Sequence, residues 1–316
     1  MYRSLRLFAG TSNPALAANI SKQLGVEPGK IKISRFQSGE VYVHFEESIR
    51  NCDVFLLQSF SHPINEMFVE LLVMIDAAKR ASARTINIIV PYYGYARQER
   101  KAAPREPISA KMVADVLTTA GANRVITIDL HAPAIQGFFN IPVDHLTALD
   151  LITEYLKTKK IENPVIVSPD AGRAKTAEKL ASRLGSPFAM MIKQRPAHNE
   201  AVITHVIGDV AGRTPIIIED LIDTGTTIVQ VVEGLKERGA NDAIVCATHG
   251  LFSGEALSRL DHAHIEEIVV TDSIVLPDHH CKMRLKVLSV ASMLAQATHI
   301  ITEGGSIATL FKDAGV

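Results

Sequence analysis

The chain has 316 residues, enough for two domains that each bury their own core. Apolar residues make up 47% and charged residues 21%, with a formal net charge of -1, so nothing general attracts it to nucleic acid or to an anionic membrane. No apolar run reaches membrane-spanning length, Met1 to Arg6 has no signal core, and Cys52, Cys246 and Cys281 follow neither a disulfide framework nor zinc spacing. The expectation is a cytoplasmic protein with reduced, buried thiols.

Leu5 to Gly10 reads as a first strand, followed by a helix to Leu24 with Asn13 as its cap and Pro14 in its first turn. Ile31 to Phe36 is a second strand, and Val41 to Phe45 alternates like a half-exposed one. Asp53 to Gln58 and Thr85 to Pro91 are apolar enough to be buried on both faces, with a long helix from Asn65 to Ala81 between them. Tyr92 to Lys101 then mixes aromatics with cations beyond a strand's carboxyl end, where open α/β sheets place ligands. It suits a base stacked on an aromatic or guanidinium plane, or else is a solvated basic loop. Ser109 to Ala120 is a helix, and Arg124 to Leu130 a strand that leads into His131. That histidine is placed for a metal or phosphate, although a lone histidine there is more often a structural hydrogen-bonding residue.

The second half repeats the grammar. Asp150 to Thr158 is a helix, and Val165 to Ser168 a strand ending in Pro169-Asp170-Ala171-Gly172-Arg173. Lys175 to Leu184 is a helix, and Phe188 to Ile192 a strand running into the polar segment Lys193 to Glu200. Strands follow at 205–208, 216–218, 243–249 and 268–271, then a helix from Leu288 to Thr298. Ser306 to Phe311 reads as an edge strand or a docking tail. The alternation predicts an α/β chain of two tandem domains with parallel sheets flanked by helices, joined near residues 143–150 and sharing a cleft.

The chemistry concentrates between residues 216 and 227. Ile216-Ile217-Ile218 is a buried strand with Glu219 and Asp220 at its end, then Asp223-Thr224-Gly225-Thr226-Thr227 and a helix from Ile228 to Gly239. Amides and hydroxyls at a helix N-terminus can hold a phosphate, while strand-end carboxylates accept hydrogen bonds from two vicinal sugar hydroxyls. A sugar phosphate presents both groups at once. The plainer alternative is an acidic turn before a helix capped by Asp or Thr.

Several motifs in order carry a resemblance over nearly the whole chain. They are 35–40 (Arg-Phe-Gln-Ser-Gly-Glu), 91–100 (Pro-Tyr-Tyr-Gly-Tyr-Ala-Arg-Gln-Glu-Arg), 129–132 (Asp-Leu-His-Ala), 135–139 (Ile-Gln-Gly-Phe-Phe), 168–170 (Ser-Pro-Asp), 193–196 (Lys-Gln-Arg-Pro) and 216–227. The chain resembles the class I ribose-phosphate pyrophosphokinases, the synthases of phosphoribosyl pyrophosphate. The resemblance implies two phosphoribosyltransferase-type domains, 1–146 and 147–302, with the tail from about 303 to 316 packing back on the first. It implies transfer of the diphosphoryl group of ATP to ribose 5-phosphate with Mg²⁺, in a hexamer built from dimers, without nucleic acid or membrane as partner.

By the same resemblance, Asp220, Asp223, Thr224, Gly225, Thr226 and Thr227 match the ribose 5-phosphate loop. Lys193 and Arg195 match the catalytic cations, and His131 and Asp170 the residues that hold metal and nucleotide. Phe36, Ser38 and Glu40 match the adenine pocket that a neighbouring subunit supplies, and Arg97 and Gln98 further ATP contacts. Ser48, Arg50, Ser82 and Ser306 match an allosteric anion pocket between subunits. This chain departs from the family pattern at Glu219, where Asp is usual, at Ser38, and in the position of the glycine within 223–227. The competing readings are a phosphoribosyltransferase, which uses the same acid-pair loop, and a non-catalytic regulatory paralogue of the synthase.

Overall fold

A computed structural model describes residues 4–197, 200–276 and 284–310, without the side chains of 193–197 and 200–204. The chain divides into two compact units, one of residues 1–147, 273–275 and 289–316, the other of 148–272 and 276–288.

In the first unit, β1 (Leu5–Ala9), β4 (Asp53–Leu57), β5 (Thr85–Ile89), β6 (Arg124–Ile128) and β7 (Val143–Leu146) form one parallel sheet in that order. The continuous apolar runs are central strands: all five residues of β4 are buried. The strands β2 (Ile31–Arg35) and β3 (Val41–Phe45) make a separate antiparallel hairpin, and its alternating burial follows the period-two pattern. Helix α1 (Pro14–Leu24) starts where Asn13 Oδ1 accepts the Leu16 N–H at 3.1 Å and stops at Gly25 in the left-handed region. Helices α2 (Ile64–Arg80) and α3 (Ser109–Ala120) complete the crossovers.

The second unit contains α4 (Leu149–Lys157) and α5 (Ala174–Leu184), with β8 (Pro164–Ser168) between them. It continues with β9 (Phe188–Ala197), β10 (Glu200–Ile207), β11 (Thr214–Ile222), α6 (Thr226–Lys236), β12 (Ala243–Gly250), α7 (Ala256–Asp261), β13 (Ile265–Thr271) and β14 (Arg284–Leu288). Its seven-stranded sheet runs β10-β9-β8-β11-β12-β13-β14, parallel except for β10.

Several boundaries differ from the sequence expectations for physical reasons. Residues 143–146 are no linker, because β7 pairs with β6. Strand β11 runs past Ile218 to Ile222, since its ladder with β12 continues through Glu219, Leu221 and Ile222; the acidic pair lies inside the strand. Helix α6 begins at Thr226 and ends at Lys236. Residues 193–197 are strand, not loop, because β9 pairs back on β10. The chain returns to the first unit at Ser289, where helix α8 (Ala291–Glu303) buries Leu294, Ala295 and Ala297 and packs on α1. Ser306 to Leu310 form no edge strand: Ile307–Leu310 is a 3₁₀ turn. Cys52 and Cys246 are buried free thiols, and Cys281 lies outside the described residues. Among the described residues no helix is long and apolar enough to cross a membrane.

Candidate active site

The sheet of the second unit reverses its winding between β8 and β11. From β8 the chain moves out to β9; after β10 it returns to the other side of β8 and proceeds through β11, β12 and β13. Ligands of open α/β sheets bind outside the carboxyl ends of the strands at such a switch point. Here those ends carry Asp170 to Arg173 and Glu219 to Asp223, held side by side by the parallel β8–β11 pairing.

Asp220 is 6% exposed and Glu219 is half-buried. Two adjacent carboxylates so placed need a counter-charge, and Arg173 supplies it. Its Nη2 lies 2.6 Å from Asp220 Oδ2 and its Nε 3.8 Å from Glu219 Oε2. Asp170 caps the 3₁₀ turn Ala171–Arg173, its Oδ1 accepting the N–H groups of Gly172 at 2.9 Å and Arg173 at 3.2 Å. Asp170 is a predicted site residue. Arg173 was not singled out, because its partner lies far along the chain. The signal available was an acidic residue just past the apolar run of β8, at Asp170, and an acidic pair just past that of β11, at Glu219 and Asp220.

Residues 223–227 form the turn between β11 and α6. Gly225 is the N-cap, at φ 75°, and offers no side chain of its own to cap the helix. The N-cap position is thus neither Asp nor Thr, and the amides of a helix start are groups that can receive an anion. Thr224, Thr226 and Thr227 are exposed, with the Thr224 and Thr226 hydroxyls 3.2 Å apart. The turn is held from behind. Ser253 N–H donates to Asp223 O at 3.0 Å, Arg259 donates to Thr224 O, and Leu260 packs under Gly225. Lys193 and Arg195 are on β9, with Lys193 opposite Ile203; their side chains lie outside the described residues.

In the first unit, Tyr92 to Lys101 and Asp129 to Ala132 follow the neighbouring strands β5 and β6. Both loops hold a non-glycine residue at positive φ, Tyr95 at 64° and Asp129 at 38°. The aromatics and cations of the first loop separate. Tyr92 and Tyr93 are buried, and the Tyr93 hydroxyl donates to Ala110 O at 3.0 Å; burial pushes that phenol's pKa up. These two rings belong to the core. Arg97 and Gln98 are exposed, with Gln98 Oε1 accepting from Ser109 Oγ at 2.5 Å. His131 is exposed too, and its loop is steadied by Leu130 N–H donating to His145 Nε2 at 2.8 Å. Burial holds the His145 ring below the usual histidine range, which suits a neutral acceptor.

The β2–β3 hairpin presents Phe36 at its tip, 58% exposed and edge-on to Tyr42. Ser38 Oγ donates to Glu40 Oε2 at 2.6 Å beside it. The hairpin is fixed to α2 by Arg35, 2.8 Å from Glu66 Oε2 and 3.8 Å from the buried Glu70 Oε2. Glu70 also accepts from the Thr11 N–H and from Gln58 Nε2. Ser48, Arg50, Ser82 and Ser306 are all exposed, and a hydrogen bond from Asn51 N–H to Ser82 O joins the loops of Arg50 and Ser82.

Among the described residues no group of three or more His, Cys, Asp or Glu could by itself hold a metal. At the switch point Asp170 offers a hard carboxylate oxygen, beside the Glu219 and Asp220 carboxylates that Arg173 engages. One protein carboxylate with waters and substrate phosphates is how magnesium is usually held.

Residues 5–121 match the family model for the N-terminal domain of ribose phosphate pyrophosphokinase, and residues 188–312 that for the phosphoribosyl synthetase-associated domain. The chain is 51% identical over 307 residues to the ribose-phosphate pyrophosphokinase of Bacillus caldolyticus, covering 97% of this chain and 98% of that one. To the enzyme of the same name from Corynebacterium ammoniagenes it is 49% identical over 309 residues, 98% of each chain. The crystal structure of phosphoribosylpyrophosphate synthetase from Mycobacterium smegmatis superposes with a TM-score of 0.90 at 44% identity, over 96% of this chain and 100% of that one. Similarity of this extent along the whole length shows that the chain belongs to the ribose-phosphate pyrophosphokinase family.

Proposed function

We propose that this chain transfers the diphosphoryl group of ATP to the anomeric hydroxyl of D-ribose 5-phosphate, giving 5-phosphoribosyl 1-pyrophosphate and AMP. The observation that carries this reading is the switch point of the second unit: a buried Asp220 on β11, then a helix start with glycine at its N-cap and three exposed threonines around it. Asp220 accepts the sugar hydroxyls, and the amides and hydroxyls of residues 223–227 hold the 5-phosphate. The anomeric oxygen attacks the β-phosphorus, the bond from that phosphorus to the α-phosphate oxygen breaks, and the hydroxyl proton leaves. Charge spreads over the transferring oxygens, so catalysis rests on positioning and on cations, here Lys193 and Arg195.

In this reading Arg97, Gln98 and His131 contact the nucleotide, and Asp170 takes Mg²⁺. The metal, when bound, supplies positive charge to the phosphate oxygens. Phe36, Ser38 and Glu40 read the base of a nucleotide bound to another copy, within a homohexamer. The exposure of Phe36 at a hairpin tip supports that role. Ser48, Arg50, Ser82 and Ser306 form an anion site, and the protein works in the cytoplasm. Incubation with ATP, Mg²⁺ and ribose 5-phosphate tests the activity. AMP and phosphoribosyl pyrophosphate in equal amounts are expected; ADP with a ribose bisphosphate, or no turnover, overturns it.

A further inference from the structure

We infer that Arg173 is a positioning residue for the sugar subsite, orienting the Glu219 and Asp220 carboxylates so that they receive the ribose hydroxyls. This rests on the reading of Asp220 as the sugar's acceptor. Consecutive residues of a strand point to opposite faces, and like charges side by side repel, so two adjacent carboxylates do not converge on one ligand unaided. Arg173 addresses both, with Nη2 2.6 Å from Asp220 Oδ2 and Nε 3.8 Å from Glu219 Oε2. All three side chains are mostly withdrawn from solvent, at 16%, 11% and 6% exposure. A planar guanidinium constrains the direction of the oxygens it meets, which a lysine ammonium does not.

The arginine is itself fixed at its root. Its N–H donates to Asp170 Oδ1 at 3.2 Å, and it closes the 3₁₀ turn that leads directly into α5. The anchored backbone fixes where the side chain leaves the turn, and the two carboxylates in turn fix the guanidinium. Ligand binding then finds Asp220 already oriented and does not have to order it.

The test is steady-state kinetics of Arg173→Ala, Asp220→Asn and the double variant, each substrate varied with the other saturating. Loss of a charge-assisted hydrogen bond predicts that Arg173→Ala raises the KM for ribose 5-phosphate about tenfold or more. The KM for ATP should stay within about twofold. In the double variant the KM for ribose 5-phosphate should not exceed that of the worse single variant, because Arg173 acts through Asp220. An unchanged or lowered KM for ribose 5-phosphate in Arg173→Ala, an equal rise for both substrates, or full additivity overturns the inference. If Asp220→Asn itself leaves that KM unchanged, it is the sugar-site reading that fails. Should Arg173→Ala fail to fold, Arg173→Lys keeps the charge and loses the fork. It is expected to raise the same KM severalfold, and a KM equal to wild type overturns the proposal.

Discussion

Replacing Gly225 by alanine isolates what the turn between β11 and α6 contributes. Gly225 sits at φ 75°, where a Cβ costs about 1–2 kcal/mol. The added carbon would also lie 3.0 Å from Leu260 Cγ and 3.2 and 3.3 Å from its two methyls. Leu260 is fully buried and cannot swing aside into solvent. The alanine variant relieves the strain by letting the turn leave the conformation that aligns the first amides of α6. Apparent affinity falls with the fraction of molecules still competent, so about 1–2 kcal/mol becomes a roughly 5- to 30-fold higher KM for ribose 5-phosphate. The KM for ATP should change little. Adding Leu260→Ala removes the contact and keeps the left-handed strain, so most of the defect should persist. Initial rates against ribose 5-phosphate, with circular dichroism to verify folding, measure both variants. A KM for ribose 5-phosphate within about twofold of wild type in Gly225→Ala would show that the glycine does not shape the phosphate site.

Lys193→Ala is expected to lower kcat by roughly two orders of magnitude with much smaller changes in KM, because its charge matters most as the diphosphoryl group moves; an unchanged kcat removes it from the mechanism. Asp220→Asn keeps the shape and discards the charge, so calorimetric titration should show ribose 5-phosphate binding weakened far more than ATP binding; equal losses would point to a folding defect. Burial, and then the hydrogen bond to Glu267, push the Tyr155 hydroxyl up to about 12. Because this lies above the unfolded value of about 10, its contribution to stability is complete below about pH 10 and is lost as pH rises through 12. Ultraviolet titration of phenolate should show Glu267→Gln moving that ionisation part of the way down, and no movement would dismiss Glu267 as a cause. Burial also pushes the Cys246 thiol up, so maleimide should not label it in the folded protein, and rapid native labelling at this position would contradict its environment.

The strand-and-helix alternation was legible because both sheets are mostly parallel and their central strands are continuous apolar runs, as in Ile86 to Val90. Asn13 and Pro14 marked the start of α1 by chemistry that acts within a few residues. Features set by distant partners were not legible. Strand β11 outlasts its apolar run because β12 keeps pairing with it, and the carboxylates at Glu219 and Asp220 masked that continuation. Strand β14 carries a mostly exposed Arg-Leu-Lys-Val-Leu pattern, typical of an edge, and among the described residues its only strand neighbour is β13. Tyr92 and Tyr93 read as ligand-facing by composition but fill the core. Arg173 acquires its meaning only when β8 and β11 lie side by side.

The packing of α8 on α1 has a consequence for how the protein is made. The first unit needs residues from both ends of the chain, while residues 148–272 and 276–288 build the other unit. At 5–20 residues per second, the ribosome takes roughly 7–28 s to make the stretch between residues 148 and 288. Throughout that interval α1 has no α8 to cover it. The second unit, by contrast, has all its strands once Leu288 has emerged. A nascent chain that stalls there, or a truncation at the same point, would therefore leave the later-made unit whole and the earlier-made one unfinished, with damage at the C-terminus felt at the N-terminus.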